Sequence, residues 1–245
     1  MRGNDYILNV TECINKAWQT QEKKIREIAW LLADTIERKN SVFVFGCSHA
    51  GIIAEEVFYR SGGLAVINPI FFPAFMLNTR PVTLTSQLER ISGLGKTLLV
   101  QNHLKKGDLL IIHSVSGRNP VPVEMALEAS KMGVTTVCIT NLEYSSSVSS
   151  RHPDGKRLFE VCDYVIDNCG IVGDASITLD GLDEKIGPTS TAVGVSLINA
   201  LIIEAVEKMI SDGIVPPVFM SANLNGGDEH NARIFEDYKD NIFYM

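Results

Sequence analysis

The sequence predicts an α/β fold in which helices cover both faces of a parallel sheet. Two observations support this prediction: short, continuous apolar runs alternate with helical patterns, and two of these runs end abruptly in loops of small residues that precede a helix. The chain has 245 residues, of which 45% are hydrophobic and 21% charged. This length suits one large domain or two small ones and is ample for a sizeable core.

The first predicted element is a long helix over residues 5–39. Ile25, Ile28, Leu32 and Ile36 recur on one face with the period of an α-helix. The preceding apolar residues, around Trp18, indicate either an earlier helix or an extension of the same one.

The elements that follow alternate between strand and helix. We predict strands at residues 42–45, 108–113, 134–139 and 164–167, and helices at residues 52–60, 120–132 and 189–210. The second of these helices is delimited at both ends, because Asn119 suits the N-cap and Gly133 the position after the C-cap. We predict residues 68–101 as a long insertion and residues 216–245 as a polar tail.

The net charge limits the classes of binding partner, and the cysteine content indicates the redox compartment of the protein. The chain carries 22 Lys and Arg against 29 Asp and Glu, a formal net charge of −7, so we expect no binding of nucleic acid or of an anionic membrane surface. Five cysteines without a CxxC pair indicate reduced thiols in a cytoplasmic protein. There is no signal-peptide pattern, and the most apolar stretch, residues 192–206, is interrupted by polar residues, so we expect no membrane span.

Two loops of small polar residues follow two of the predicted strands. Residues 46–51 offer the hydroxyl of Ser48, and residues 114–119 offer those of Ser114 and Ser116, each loop directly before a helix. Ligands of open α/β sheets gather at the carboxyl ends of the strands, where free N–H groups and hydroxyls bind anions such as a phosphate ester. Single Ser and Gly residues often serve only as turn or cap residues, but the repetition of the pattern favours a phosphate cradle.

Other common ligand-binding patterns are not found. The sequence has no GxGxxG fingerprint for a dinucleotide and no GxxxxGK[ST] loop for a nucleoside triphosphate. Its histidines show neither HxH nor HExxH spacing, so we predict no metal site. We expect no cofactor.

The Ser-x-Ser-Gly-x-Asn loop between strand and helix, together with a Gly-x-Ser loop after the first strand, resembles the SIS (sugar isomerase) phosphosugar-binding domain. The resemblance covers residues 41–211 and leaves residues 1–40 as an N-terminal helical segment and residues 212–245 as a tail packed on the domain or on a neighbouring subunit. It implies a three-layer αβα sandwich with a five-stranded parallel sheet. The whole chain is similar to an uncharacterised subgroup whose members are often labelled phosphoheptose isomerases.

The resemblance also implies a ligand and the residues that hold it. The ligand is a phosphorylated sugar, and family members usually form homodimers or higher homo-oligomers with sites near the subunit interface. The expected binding residues lie in the two loops and at the start of the last long helix. They are Ser48, Ser114, Ser116, Gly117, Asn119, Thr189 and Ser190.

Isomerisation of an aldose to a ketose needs a base that moves a proton between neighbouring carbons and a group that polarises the carbonyl oxygen. Glu56 and Glu89 are the candidate bases, Glu56 because it matches the second Glu of the Ala-Glu-Glu motif of phosphoheptose isomerases. His49, beside Ser48, is the histidine best placed to touch a sugar. Surface or helix-start roles are the alternatives for all three.

We therefore predict a phosphosugar-binding protein that acts as a sugar-phosphate isomerase of the phosphoheptose-isomerase type. Two alternatives stay open: an etherase or lyase that acts on an amino-sugar phosphate through the same carboxylates, and a non-catalytic phosphosugar sensor. No histidine occurs within residues 189–210, where phosphoheptose isomerases carry a catalytic one, and this favours the two alternatives. The lack of a DNA-binding segment weakens a direct regulatory role.

Overall fold

Five parallel strands form the central sheet of the protein, and a computed structural model describes all 245 residues. The strands are β1 (Val42–Gly46), β2 (Ile67–Pro69), β3 (Leu109–His113), β4 (Thr135–Thr140) and β5 (Tyr164–Asp167). Their order is β2-β1-β3-β4-β5, and every neighbouring pair is parallel. Because Gly46 at the end of β1 pairs with His113 at the end of β3, the loops that follow these strands start side by side.

Helices and one short hairpin surround this sheet. The helices are α1 (Arg2–Glu37), α2 (Ile52–Val57), α3 (Leu84–Leu88), α4 (Leu94–Val100), α5 (Pro120–Lys131), α6 (Leu142–Ser147), α7 (Ser190–Ser211) and α8 (Gly227–Asp237). The hairpin consists of β6 (Ala175–Ile177) and β7 (Ile186–Pro188), which pair antiparallel. It leads directly into α7.

The strands have one core on each face of the sheet, because successive side chains of a strand point to opposite faces. Val44 contributes to the larger core, which Leu32 of α1 and Leu197 of α7 help to close. Phe45 contributes to the smaller core, together with Ala126 of α5. The predicted three-layer αβα sandwich with a five-stranded parallel sheet is confirmed.

Several elements differ from the sequence prediction. The apolar residues near the N-terminus belong to α1, which is one continuous helix of 36 residues. The fifth strand, β2, has only three residues and lies at the start of the predicted insertion. The hairpin of β6 and β7 and the helix α8 were not predicted, because short segments with many polar residues show little periodicity.

The tail after α7 contacts the sheet of its own chain. The side chain of Asn68 donates to the carbonyl oxygen of Asn241 at 2.9 Å and accepts from the backbone N–H of Phe243 at 2.8 Å. The ring of Phe243 stacks on that of Phe43, with centroids 5.8 Å apart. These contacts hold the end of the tail beside β1 and β2.

Helix α7 contains the most apolar stretch of the chain and buries one of its faces. Val193, Leu197 and Leu201 face the larger core that α7 shares with α1. No helix of the protein combines the length and the apolar character needed to cross a membrane.

Candidate functional site

A pocket of about 280 Å³ lies at the carboxyl ends of β1 and β3, where the two predicted loops begin. We call it the cradle pocket. It brings residues of both loops together with one residue from the segment between β2 and β3. The predicted site residues that line it are Ser48, His49, Glu89, Ser114, Ser116 and Asn119.

The loop after β1 depends on a glycine and on a strained serine. A Cβ at Gly46 would lie 2.3 Å from the carbonyl oxygen of Ala50, so only glycine lets the chain fold back this closely. Ser48 has a φ of 56°, in the left-handed region, a conformation that costs a non-glycine residue roughly 1–2 kcal/mol. Its side chain is half-buried at the pocket wall, and its hydroxyl makes no hydrogen bond within the chain.

The loop after β3 is fixed by contacts that leave its serine hydroxyls unused. The backbone N–H of Ser114 donates to the carbonyl oxygen of Ile139 at 3.1 Å. Gly117 has a φ of 56°, and a Cβ there would come within 3.0 Å of the Ser145 hydroxyl oxygen. Ser114 and Ser116 are half-buried at the pocket wall, and their hydroxyls are available to a ligand.

Helix α5 begins at the cradle pocket but offers few free N–H groups there. Its first turn contains two prolines, which carry no N–H, and the N–H of Val121 donates to the carbonyl oxygen of Glu89 at 3.2 Å. Asn119 occupies the N-cap position, as predicted, yet its Oδ1 accepts from Nη1 of Arg151 at 2.9 Å instead of capping the helix. The helix dipole favours an anion at this end, while direct donors come from the loop.

Glu89 is the candidate base that the fold brings to the cradle pocket. Burial raises the pKa of its carboxyl above the ordinary value for glutamate, while a hydrogen bond from the Asn119 side chain and the charges of Arg90 and Arg151 act in the opposite direction. A raised pKa suits a carboxylate that takes up and returns a proton near neutral pH.

Two histidines line the pocket, one exposed and one buried. His49 is exposed. His113 is fully buried, its Nδ1 lies 3.0 Å from the carbonyl oxygen of Ala50, and its Nε2 has no partner. Because a carbonyl only accepts, Nδ1 carries the proton, and burial lowers the pKa of His113 to about 4, so the ring is neutral at pH 7. The ring fills the space beside Gly194 of α7, where a Cβ would lie 3.4 Å from Nε2.

Asp174, which no sequence pattern indicated, caps α7 and lines the cradle pocket. Its carboxylate accepts from the backbone N–H of Thr189 at 2.9 Å, from that of Ser190 at 2.7 Å, and from the Ser190 hydroxyl at 2.8 Å. Thr189 and Ser190 are themselves buried and do not line the pocket. The structure thus places Asp174, rather than the two predicted hydroxyls, at the pocket wall.

The other candidate base, Glu56, does not line the cradle pocket. Its carboxylate forms an ion pair with Arg60. It also accepts a hydrogen bond from Nδ2 of Asn199 on α7 at 3.3 Å. Both contacts hold the carboxylate between α2 and α7.

The lining of the cradle pocket carries two carboxylates, those of Glu89 and Asp174, and no lysine or arginine. An anion in the pocket would therefore be held by hydroxyls, by loop N–H groups and by the dipole of α5. Each such charge-assisted hydrogen bond contributes roughly 1.5–3 kcal/mol. A cationic side chain from outside the lining, that of Arg151, contacts the lining through Asn119.

Comparison with known proteins identifies the family. A family model described as SIS domain matches residues 5–141, more than half of the chain. The chain belongs to the SIS-domain family. The matched segment includes both serine loops of the cradle pocket. A UPF0309 protein of Oceanobacillus iheyensis is 48% identical over 241 residues, which cover 98% of this SIS-domain chain and 98% of that protein.

Solved structures share the fold at low sequence identity. A phosphoheptose isomerase from Francisella tularensis superposes with a TM-score of 0.55 at 12% identity, covering 83% of this chain and 96% of that one. The Vibrio vulnificus NanR protein complexed with ManNAc-6P superposes with a TM-score of 0.52 at 11% identity, covering 98% of this chain and 69% of that one. At these identities the likeness shows the SIS fold alone.

Proposed function

We propose that this SIS-domain protein binds a phosphorylated sugar in the cradle pocket and interconverts its aldose and ketose forms. The observation that carries the proposal is the meeting of three unused serine hydroxyls and one carboxylate of raised pKa in a pocket of about 280 Å³. The phosphoheptose isomerase from Francisella tularensis, which has the same fold, supports it.

The phosphate group binds to the two loops. The hydroxyls of Ser48, Ser114 and Ser116 donate to its oxygens, and N–H groups of the loop and the side chain of Asn119 complete the set of donors. Because the phosphate is remote from the reacting carbons, its binding energy orients the sugar for the chemical step.

Glu89 acts as the base. Its carboxylate takes the proton from the carbon next to the carbonyl carbon. The electron pair of that C–H bond forms a double bond between the two carbons, while the carbonyl π pair moves onto the carbonyl oxygen. The hydroxyl proton of the second carbon passes to that oxygen, and the second oxygen becomes the new carbonyl as the proton on Glu89 returns to the former carbonyl carbon, which converts the aldose into the ketose. His49, exposed at the same pocket, polarises the carbonyl oxygen during both transfers.

Two other functions use the same pocket. β-Elimination of an ether from an amino-sugar phosphate also begins with removal of a proton by a carboxylate, and a sensor needs only the phosphate cradle. The NanR protein, whose fold is similar, was solved with ManNAc-6P. Product analysis separates the three: a ketose phosphate supports the isomerase, released lactate supports the etherase, and saturable binding without a product supports the sensor.

We also infer that the protein forms a homodimer or a higher homo-oligomer in the cytoplasm. Large apolar side chains are exposed on α1 and α7, namely those of Ile7, Leu8, Trp30, Ile203 and Ile210, and contact with a second copy would remove them from water. All five cysteines are free thiols, which suits a reducing compartment. Light scattering during size-exclusion chromatography measures the number of subunits.

Thermal-shift measurement with a panel of sugar phosphates and the matching free sugars tests the cradle. We expect stabilisation only by the phosphorylated compounds, and its loss in Ser116→Ala. Ser211→Ala is the matched control, because Ser211 lies exposed at the end of α7. Equal stabilisation by free sugars, or an undiminished shift in Ser116→Ala, would show that the cradle assignment is wrong.

A further inference from the structure

Three arginines beside the cradle pocket make no ion pair with a carboxylate. They are Arg90, Arg118 and Arg151, and we call them the arginine rim. The neighbouring Arg157, by contrast, pairs with Glu160 at 2.8 Å. In a chain with a net charge of −7, such a group of unpaired cations next to a candidate site needs an explanation.

Hydrogen bonds fix two of these arginines on the outer side of Asn119. Nη1 of Arg151 donates to Oδ1 of Asn119 at 2.9 Å, and the backbone N–H of Arg151 donates to the carbonyl oxygen of Arg118 at 2.8 Å. Nη2 of Arg118 donates to the hydroxyl oxygen of Ser149 at 3.1 Å, while its Nε is buried without a partner. Most of the donors of the two guanidinium groups are therefore unused.

The charges of the arginine rim act on one another. The pKa of Arg151 is lowered first by desolvation and then by the positive charges of Arg118 and Arg90, and Glu89 is the carboxylate that opposes this effect. Glu89, which lines the cradle pocket, makes no ion pair with any of the three arginines. The three positive charges therefore share a single carboxylate.

We propose that the substrate carries a second acidic group besides its phosphate, either a carboxylate or a second phosphate, and that Arg118 and Arg151 bind this group. This inference rests on the proposed function, because the first phosphate occupies the hydroxyl cradle. Two guanidinium groups with unused donors match the paired oxygens of a carboxylate or a phosphate. Arg90 adds long-range attraction. The substrate class is then phosphorylated sugar acids and sugar bisphosphates.

The position of the arginine rim separates this second group from the phosphate in the cradle. Neither Arg118 nor Arg151 lines the pocket that contains the three serine hydroxyls. Asn119 stands between the two regions, since it lines the pocket together with Glu89 while its Oδ1 accepts from Arg151. A sugar with its phosphate in the cradle would extend past Glu89 and place its other end at the arginine rim.

Paired probes test the proposal by isothermal titration calorimetry on the full chain. Glucose 6-phosphate is compared with 6-phosphogluconate, and fructose 6-phosphate with fructose 1,6-bisphosphate, so that the two arms distinguish a carboxylate from a second phosphate. We expect the doubly acidic member of at least one pair to bind tenfold or more tightly. Arg118→Gln and Arg151→Gln should each remove this preference and change the affinity for the singly acidic member less than twofold.

Arg38→Gln is the matched control, because Arg38 is an exposed arginine between α1 and the start of β1, whereas the cradle pocket lies at the carboxyl end of β1. Melting temperatures without ligand verify that the variants fold. The proposal would be overturned if the two members of each pair bound with equal affinity, or if neither member bound. It would also be overturned if Arg118→Gln and Arg151→Gln lowered the affinity for both members equally. Gluconate reports on the cradle separately: if it binds as tightly as 6-phosphogluconate, the proposed function fails instead.

Discussion

Nδ1 of His113 lies 3.0 Å from the carbonyl oxygen of Ala50 and thereby ties the end of β3 to the loop that follows β1. The bond requires a proton on Nδ1, and full burial keeps the other nitrogen, Nε2, unprotonated and unpartnered. The two loops of the cradle pocket are thus held together by a neutral imidazole. Protonation of this ring would place an unpaired charge directly beneath the pocket.

The first prediction concerns stability at acidic pH. The pKa of His113 is about 4 in the folded protein against an ordinary 6.5, so below pH 6.5 the unfolded chain binds a proton that the folded chain does not. Stability contributed by the neutral ring is present above pH 6.5 and is lost as the pH falls towards 4, by about 2 kcal/mol between pH 7.5 and 5. Urea unfolding at both pH values measures the loss.

His113→Asn supplies the control for this prediction. The variant is less stable at pH 7.5 because a cavity forms, but the histidine contribution to its pH dependence is gone. The decrease in unfolding free energy between pH 7.5 and 5 should therefore be smaller by about 2 kcal/mol than in the wild type. An identical drop in both proteins would mean that His113 titrates normally.

The second prediction separates the two candidate bases. Glu89→Gln should lower kcat by a factor of roughly 10²–10⁴ with little change in sugar-phosphate binding, because only the proton-transferring group is lost. Glu56→Gln should retain most of the activity, because Glu56 contacts Arg60 and Asn199 outside the pocket. Steady-state kinetics on both variants test this assignment, and a large loss of kcat in Glu56→Gln with none in Glu89→Gln would assign the base to α2.

In the wild type, the acid limb of the pH profile should lie above the ordinary pKa of glutamate, 4.5, because burial raises the pKa of Glu89.

The third prediction uses two glycines that share a left-handed backbone. Gly155→Ala introduces only torsional strain, because φ is 67° and nothing lies within 4 Å of the new Cβ. Gly117→Ala adds steric contact with Ser145, so it should lower the unfolding free energy by more than the roughly 1–2 kcal/mol expected for the torsion alone. It should also weaken sugar-phosphate binding. Calorimetric melting and titration of both variants measure stability and binding. Equal losses of unfolding free energy in the two variants would argue against tight packing of the loop around Gly117.

The fourth prediction concerns Asp174, which both caps α7 and faces the pocket. Asp174→Asn removes a negative charge from a helix N-terminus and weakens bonds to Thr189 and Ser190, so the unfolding free energy should fall by about 1 kcal/mol. Affinity for a sugar phosphate should rise at low salt, because one of the two carboxylates of the pocket lining is neutralised. Melting curves and titrations at two salt concentrations test both effects. Weaker binding in the variant would instead indicate that Asp174 accepts a hydrogen bond from the sugar.

Local patterns allowed the serine loops to be predicted, because each lies between a strand end and a helix start that the sequence marks clearly. The short strand β2 was not predicted, since its three residues are stabilised by pairing with β1 rather than by a pattern of their own. The same limitation applies to Asp174. Its importance comes from contacts with Thr189 and Ser190, which the hairpin of β6 and β7 brings back to it.

The choice between Glu56 and Glu89 also depended on long-range structure. In the sequence, Glu56 lies on a predicted helix and Glu89 lies in the predicted insertion, and neither position indicates which one reaches the serine loops. Glu89 reaches the pocket because the segment before α4 returns to the start of α5, where the N–H of Val121 donates to the carbonyl oxygen of Glu89 at 3.2 Å. No spacing rule connects residues that lie so far from the serine loops in the chain.

At Ser48, the backbone conformation that lowers stability belongs to the residue whose hydroxyl is proposed to bind the ligand. Glycine adopts a φ of 56° without the steric penalty that serine meets there, but it has no hydroxyl. A mutant library screened solely for heat tolerance should consequently accumulate glycine at this position, and the survivors should have lost affinity for phosphorylated compounds. Laboratory evolution of a hardier form would need ligand selection in every round.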